Sequence, residues 1–178
     1  MTSADGRSTS RRALGDSGER VAVAHSLTIR LELEATRAAY HALLTSLSAD
    51  EWYRKSANPD LTVKELMWHL AWSVGWLAGF VDAVRAGKNS RLPGFLVEPV
   101  RLVAMRWLAR KATPEKAAQH YDEGHAALLA KLDTIAPDDW QRSTTRFGQT
   151  RTVEWCFRQP ALHFAEHAAD VRPVTNAP

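Results

Sequence analysis

Apolar side chains recur with helical spacing along most of the chain. The first such stretch runs from Val23 to about Leu47, with apolar positions at Ile29, Leu33, Tyr40, Leu43, Leu44 and Leu47. The alternation in LTIRLELE also suits a strand, but the length of the stretch favours a helix. Residues 1–22 lack an apolar period and are rich in Ser, Gly, Arg and Asp, so we expect a disordered leader there.

A capping pattern marks the start of a second helix. Thr62 and Glu65 have the spacing of a capping box, in which each side chain accepts a hydrogen bond from the other residue's backbone N–H. The residues that follow, KELMWHLAWSVGWLAGFVDAVRA, are apolar on most of the helix circumference until Gly87. This helix is therefore predicted to be largely buried. The residues between the two helices, at 48–52 and 58–60, have the composition of turns.

A long connection follows, from Gly87 to Lys111, and it is interrupted by prolines and glycine. One amphipathic series within it predicts a short crossover helix, in which Val100, Val103, Ala104, Trp107 and Leu108 lie opposite Arg101, Arg106 and Arg110. A basic amphipathic segment can also lie on a membrane surface. We favour the reading in which the apolar face packs on the rest of the protein.

Two more helices are predicted in the C-terminal half. Thr113 and Pro114 give an N-cap followed by proline, and the helix over about 114–135 has an inner stripe of Ala118, Tyr121, His125, Leu128, Leu132 and Ile135. Residues 138–151 have the composition of a polar loop. Thr152 caps the last helix, VEWCFRQPALHFAEHAADV, which is expected to end before Pro173.

These elements predict an all-α fold, a four-helix bundle with a helix-containing crossover between its second and third helices. The crossover is long enough, at about 25 residues, to return the chain to the other end, so those two helices can run parallel. At 178 residues the chain suits a single core. We expect a leader over 1–22, one bundle domain over 23–172 and a tail over 173–178.

The composition is that of an ordinary globular protein, with 45% hydrophobic and 24% charged residues. The net charge of +3 comes without a basic cluster or a nucleic-acid-reading motif, so we expect no nucleic-acid partner. A single cysteine cannot form an internal disulfide, which fits a reducing compartment. No segment has the apolar run of a secretion signal or a membrane span, and we expect a soluble cytoplasmic protein.

Three histidines form a candidate metal site. His163 and His167 have an H-x-x-x-H spacing, which places their imidazoles within about 40° of each other on one helix face. His69 lies among apolar neighbours of the buried second helix, and a lone histidine there is more often a core residue bonded to a carbonyl. Together the three neutral nitrogen donors suit Zn²⁺ or Ni²⁺ and leave a coordination position open.

Other residues face the same way as this triad. Trp72, Ser73 and Trp76 lie within about 60° of His69 around the second helix, so they either wall a pocket or pack in the core. Cys156 lies two turns before His163, and it is a fourth ligand, a nucleophile or a small buried hydrophobe.

Two carboxylates and one further histidine complete the candidates. Glu166 or Asp170 can orient an imidazole from behind, although Glu166 can equally face water. His125, on the inner stripe of the third helix, is the main rival ligand. His25, His41 and His120 show no partner pattern and are expected in local contacts.

The segments LTVKELMWHLAWS and LHFAEHAADV resemble the second-helix and last-helix motifs of the DinB-like metalloenzymes. That family is related to YfiT-type hydrolases and to S-transferases that use bacillithiol or mycothiol. The resemblance covers about residues 25–172. It implies that His69, His163 and His167 bind the metal in an up-down-down-up bundle that is often dimeric. Many members have Gly-Gln where this chain has Ala169-Asp170, which indicates different contacts behind the ligands.

The resemblance and the open site suggest a metal-dependent transferase. Its metal would bind a low-molecular-weight thiol, lower the thiol pKa from near 8.5 and present the thiolate to an electrophilic small molecule. A second enzymatic hypothesis is metal-dependent hydrolysis. A hypothesis of a different class is a non-catalytic metal- or ligand-binding bundle, or an interaction module induced under stress. The residues alone identify neither the substrate nor the metal. Three imidazoles can bind Zn, Ni, Fe or Mn.

Overall fold

A computed structural model describes residues 6–89, 103–146 and 148–175 of the chain. These residues are mostly helical, as the sequence predicts, with helices α1 (Gly6–Ser46), α2 (Ala49–Tyr53), α3 (Val63–Arg85), α4 (103–109), α5 (Pro114–Leu132) and α6 (Val153–Thr175). A 3₁₀ turn (Pro137–Asp139) and two short strands, β1 (Ser143–Arg146) and β2 (Gln149–Thr152), lie between α5 and α6. In the described ranges no helix is long and apolar enough to cross a membrane.

Side-chain caps mark the starts of α3, α5 and α6. Thr62 and Glu65 form the predicted capping box, with Thr62 N–H donating to Glu65 Oε2 at 2.8 Å and Glu65 N–H donating to Thr62 Oγ1 at 3.3 Å. Thr113 and Thr152 each accept a backbone N–H from the first turn of α5 and α6, at 3.3 and 3.0 Å. The predicted helix starts are therefore confirmed.

The core lies where α3 packs against α5 and α6, while α1 packs against the same two helices. The predicted stripe of α1 is confirmed, since Ile29, Leu33, Tyr40 and Leu44 are buried. As predicted, α3 is buried on most of its circumference, through Val63, Leu66, Met67, His69, Leu70, Ala71, Val74, Leu77, Ala78, Phe80, Val81 and Val84. This one continuous core holds both helices that carry the histidine triad.

Two glycines allow α3 and α5 to touch backbone to backbone. A Cβ atom placed on Gly124 would lie 2.6 Å from the backbone nitrogen of Gly75 and 3.0 Å from its Cα. No real side chain tolerates such distances, so the crossing of these two helices requires glycine at position 124. The close approach fixes how α3 is seated in the core.

The ends of the chain contain more helix than the sequence suggested. Residues 6–22, predicted as part of a disordered leader, belong to α1. They contain no proline, but three of them are glycines and the apolar stripe does not extend into them, so the helix here is not explained by local composition. At the other end α6 passes Pro173, before which the sequence predicted its end, and runs to Thr175.

The predicted polar loop over 138–151 contains a β-hairpin. Strands β1 and β2 pair antiparallel, with Arg146 opposite Gln149. Gly148 in that loop has a φ of 77°, a conformation that glycine adopts without strain. The alternating threonines and this glycine were the available signal, and the lack of apolar residues concealed it.

The hairpin is attached to the end of α3. The Asn89 side-chain oxygen accepts hydrogen bonds from the Thr144 hydroxyl and the Thr145 N–H, both at 2.8 Å. Thr152 is the last residue of β2 and also the cap of α6. The hairpin therefore links the C-terminal end of α3 directly to the first turn of α6.

Two smaller predictions also need correction. The turn expected at 48–52 is the short helix α2, which Ser48 and Glu51 start with a second capping box. In α4, Val103 and Trp107 are 67% and 63% exposed, whereas Met105 is buried. A helix of two turns buries only a narrow part of its surface. The part that α4 buries contains Met105, whereas the face with Val103 and Trp107 points to solvent. The remainder of the predicted crossover helix, at Val100 and Arg101, lies outside the described residues.

Candidate metal centre

Helices α3 and α6 bring the three predicted histidines together. His69 lies on the inner side of α3 and is only 7% exposed, while His167 is nearly buried and His163 is half-buried on α6. The helical period places His163 and His167 on the same face, one turn apart. Of the three histidines, His163 is the most exposed to solvent.

The spacing of the imidazoles suits a single metal ion. One ligand nitrogen from each histidine lies within 4.8 Å of the other two, and His69 Nε2 is 3.1 Å from His163 Nε2. Two nitrogens bound tetrahedrally at 2.0–2.1 Å are separated by about 3.3 Å. Ring centroids are 4.7, 5.5 and 4.7 Å apart for the three pairs. The His69–His163 pair is close to that separation, and the three residues together form a group that could hold one divalent transition metal.

Both histidines of α6 have a polar partner at Nδ1. Asp170 Oδ2 lies 3.1 Å from His167 Nδ1, and Ser73 Oγ lies 3.3 Å from His163 Nδ1. A carboxylate accepts the Nδ1 proton, so Nε2 of His167 keeps its lone pair for a metal. Of the two carboxylates that the sequence offered, Asp170 occupies this position and Glu166 is exposed.

The rival ligand His125 lies elsewhere. Its Nε2 is 3.8 Å from Glu34 Oε2 across the α1–α5 contact, and its ring is buried. Burial lowers the pKa of His125 below its usual value, against the opposing effect of Glu34. The remaining histidines make the local contacts expected of them: His41 with Asp122, His120 with Trp68 and His25 with Trp140.

The tryptophans predicted to wall a pocket lie on the same side of α3 as His69. Trp72 is half-buried, and Trp76 is 37% exposed with its ring stacked on Phe80 at 4.7 Å between centroids. The partly exposed indole of Trp76 thus lies two turns along α3 from His69. An apolar aromatic surface of this kind can receive an apolar part of a small molecule.

Cys156 is a core residue in this structure. Its side chain is buried, its Sγ donates to the Thr152 carbonyl oxygen at 3.4 Å, and burial raises the pKa of the thiol to about 12. His163 lies seven positions further along α6, a rise of about 10 Å. Among the described residues, the group able to hold a metal consists of the three histidines and does not include Cys156.

Three convergent imidazoles on a mostly helical scaffold define a class of protein, helical proteins with a histidine cluster that could hold a metal ion. Residues 32–171 match the DinB superfamily, and the chain belongs to this family. The resemblance noted in its second-helix and last-helix motifs is thereby confirmed.

One solved structure similar to this chain is the crystal structure of the mycothiol-dependent maleylpyruvate isomerase. The TM-score is 0.66 at 16% sequence identity, and the match covers 82% of this chain and 60% of that one. This chain thus spans less than two thirds of the length of that protein, and the likeness establishes a shared fold. No curated protein gives a significant match.

Proposed function

We propose that this protein is a metal-dependent enzyme that transfers a low-molecular-weight thiol to an electrophilic small molecule. The observation that carries the proposal is the convergence of His69, His163 and His167 with nitrogen spacings that suit one metal ion. Three protein ligands leave a coordination position for a further group, which is typical of catalytic metal sites. In this proposal the further group reaches the ion from the side of His163, the least buried of the three ligands.

Support for a thiol as the further group comes from the structural relative, which is named for its dependence on mycothiol. A thiol-dependent isomerase and a thiol transferase both require a thiolate beside an electrophilic carbon. A divalent ion at the triad, for which we propose Zn²⁺ or Ni²⁺, supplies the positive charge that lowers the pKa of a bound thiol from near 8.5.

The side chains around the triad have separate roles in this proposal. The three imidazoles bind the ion, and Asp170 holds His167 with Nε2 directed at it. Trp72 and Trp76 provide an apolar surface that holds the electrophile and excludes water. Cys156 stays protonated at neutral pH, so the thiolate comes from the cofactor.

We further propose the up-down-down-up arrangement for α1, α3, α5 and α6. Contacts between α3 and α5 advance together along both helices, as expected of parallel neighbours: Trp68 with His120, Gly75 with Gly124 and Asp82 with Lys131. Contacts between α1 and α5 advance in opposite directions, with Arg30 against Asp133 and Arg37 against Asp122. A cytoplasmic homodimer is our working assembly.

Metal binding is tested by elemental analysis of purified wild type beside His69→Ala and His163→Ala. We expect about one metal per wild-type chain and a large loss in both variants. His120→Ala is the matched control, because this imidazole is half-buried against Trp68 outside the triad. Undiminished metal in both triad variants would exclude these histidines as ligands.

The transfer reaction is tested with chlorinated and epoxide electrophiles in the presence and absence of a low-molecular-weight thiol. We expect product only with thiol and metal together, and its loss in His163→Ala. Product formed without thiol would replace the transferase with a hydrolase. Stoichiometric metal without any turnover would favour a non-catalytic binding protein.

A further inference from the structure

Ser73 occupies a specific position beside the triad, one turn after His69 on α3. Its Oγ lies 2.8 Å from the carbonyl oxygen of Leu70 and 3.3 Å from His163 Nδ1. It therefore connects the backbone of α3 to a histidine of α6. Spacing on α3 alone indicated only that Ser73 faces the same way as His69.

The direction of the two hydrogen bonds follows from the number of protons. A carbonyl oxygen only accepts, so the single hydroxyl proton of Ser73 is donated to Leu70. The same hydroxyl can then only accept from His163, whose Nδ1 must carry the imidazole proton. A neutral imidazole with its proton on Nδ1 has a bare lone pair on Nε2, and Nε2 is the atom 3.1 Å from His69 Nε2.

We propose that Ser73 is a positioning residue that holds His163 in the tautomer required for metal binding. The inference rests on the proposed metal centre and assigns the residue that prepares one of its ligands. Ser73 does for His163 what Asp170 does for His167, with a neutral acceptor in place of a charged one. In water a neutral imidazole favours the proton on Nε2, where it would block the metal. Removing the Ser73 hydroxyl should therefore shift His163 towards the tautomer that is protonated at Nε2.

The first test reads the tautomer in metal-free protein, by nitrogen-15 NMR of the histidine rings at a pH where they are neutral. In wild type we expect His163 to be protonated at Nδ1, and in Ser73→Ala we expect a shift towards protonation at Nε2. Ser73→Thr keeps the hydroxyl and should retain the wild-type pattern. Ser46→Ala is the matched control, because Ser46 makes the same bond to the carbonyl three residues earlier, at 2.7 Å to Leu43, away from the triad.

The second test measures affinity for Zn²⁺ by competition with a chelator. Loss of a partner behind a metal-bound histidine typically weakens binding about 10-fold or more. We expect that loss in Ser73→Ala and its recovery in Ser73→Thr. An unchanged His163 tautomer in Ser73→Ala, together with wild-type affinity, overturns the proposal. Because the NMR arm uses metal-free protein, it decides the role of Ser73 even if wild type binds no metal, a result that would instead remove the proposed function.

Discussion

Asp170 Oδ2 lies 3.1 Å from Nδ1 of His167, the residue one turn before it on α6. The backbone oxygen of Asp170 also accepts the Ala57 N–H at 3.0 Å, which ties this turn of α6 to the segment before α3. One residue thus holds a candidate ligand and joins the two parts of the chain that supply the centre. A negative partner also makes the His167 imidazole a stronger donor.

Replacing Asp170 with Asn should weaken metal binding, because the neutral amide polarises His167 less and can present an N–H in place of an acceptor. We expect a loss of about 10-fold to 100-fold in affinity for Zn²⁺, measured by chelator competition. Glu166→Gln is the control, since it makes the same chemical change at an exposed position of α6. Equal affinities of the two variants would contradict the role assigned to Asp170.

Alanine substitutions at two glycines should have opposite effects on stability, because Gly124 contacts the backbone of Gly75 and Gly79 has open space around it. Gly124→Ala forces a methyl group against the backbone of α3 and should destabilise the protein by about 1–3 kcal/mol. Gly79→Ala, with nothing within 4 Å of the new methyl group, should stabilise it by about 0.5–1 kcal/mol. Urea unfolding of both variants measures the difference. A stable Gly124→Ala protein would show that the two helices can separate without penalty.

His125 should make stability depend on pH. Burial lowers its pKa in the folded state, so below the ordinary value of about 6.5 the unfolded chain takes up a proton that the folded chain resists. Above the ordinary pKa the imidazole is neutral in both states, and the protein has its full stability. As the pH falls below that value, the free energy of unfolding decreases. The charged side chains around the ring are Glu34, Arg37, Asp122 and Arg30.

We therefore expect His125→Leu to lose less stability than wild type between about pH 7.5 and pH 5.5. Urea unfolding at each pH measures this, and the comparison with wild type cancels the contributions of other groups. His120→Leu makes the same substitution at a half-buried position outside the α1–α5 contact. Identical pH profiles for wild type and His125→Leu would show that His125 does not contribute to this dependence.

Cys156 should be unreactive in the folded protein. A buried thiol whose pKa is raised to about 12 is almost entirely protonated at pH 8, so a disulfide reagent should label it only after denaturation. Cys156→Ala should keep both bound metal and thiol-dependent turnover. Rapid labelling of the native protein, or loss of metal from the alanine variant, would place this thiol in the site after all.

Much of the fold follows from local signals. The starts of α3, α5 and α6 could be predicted because each depends on a threonine a few residues from its hydrogen-bond partner. The hairpin was missed because its strands pair through polar residues and bury little. The apolar face of α4 was misplaced because a short helix is oriented by its neighbours, as the burial of Met105 and exposure of Trp107 show.

The candidate site, like the fold, could be predicted only where it depends on local spacing and not on packing between helices. His163 and His167 share one helix face, so their proximity is a property of the helical period. Their meeting with His69 depends on how α3 packs on α6, which the helical period of one segment does not contain. The choice between Asp170 and Glu166, and the contact of Ser73 with His163, depend on side-chain conformations set by that packing.

The hairpin before α6 has a consequence for how the chain tolerates insertions. Thr152 ends β2 and caps α6, so strand pairing sets the rotational phase in which the helix starts. An extra residue at Gly148 lengthens a surface loop and leaves that phase alone. An extra residue between Thr152 and His163 turns both imidazoles of α6 by about 100° away from His69. The fold should therefore tolerate length changes on the hairpin side of Thr152 and not between Thr152 and His163.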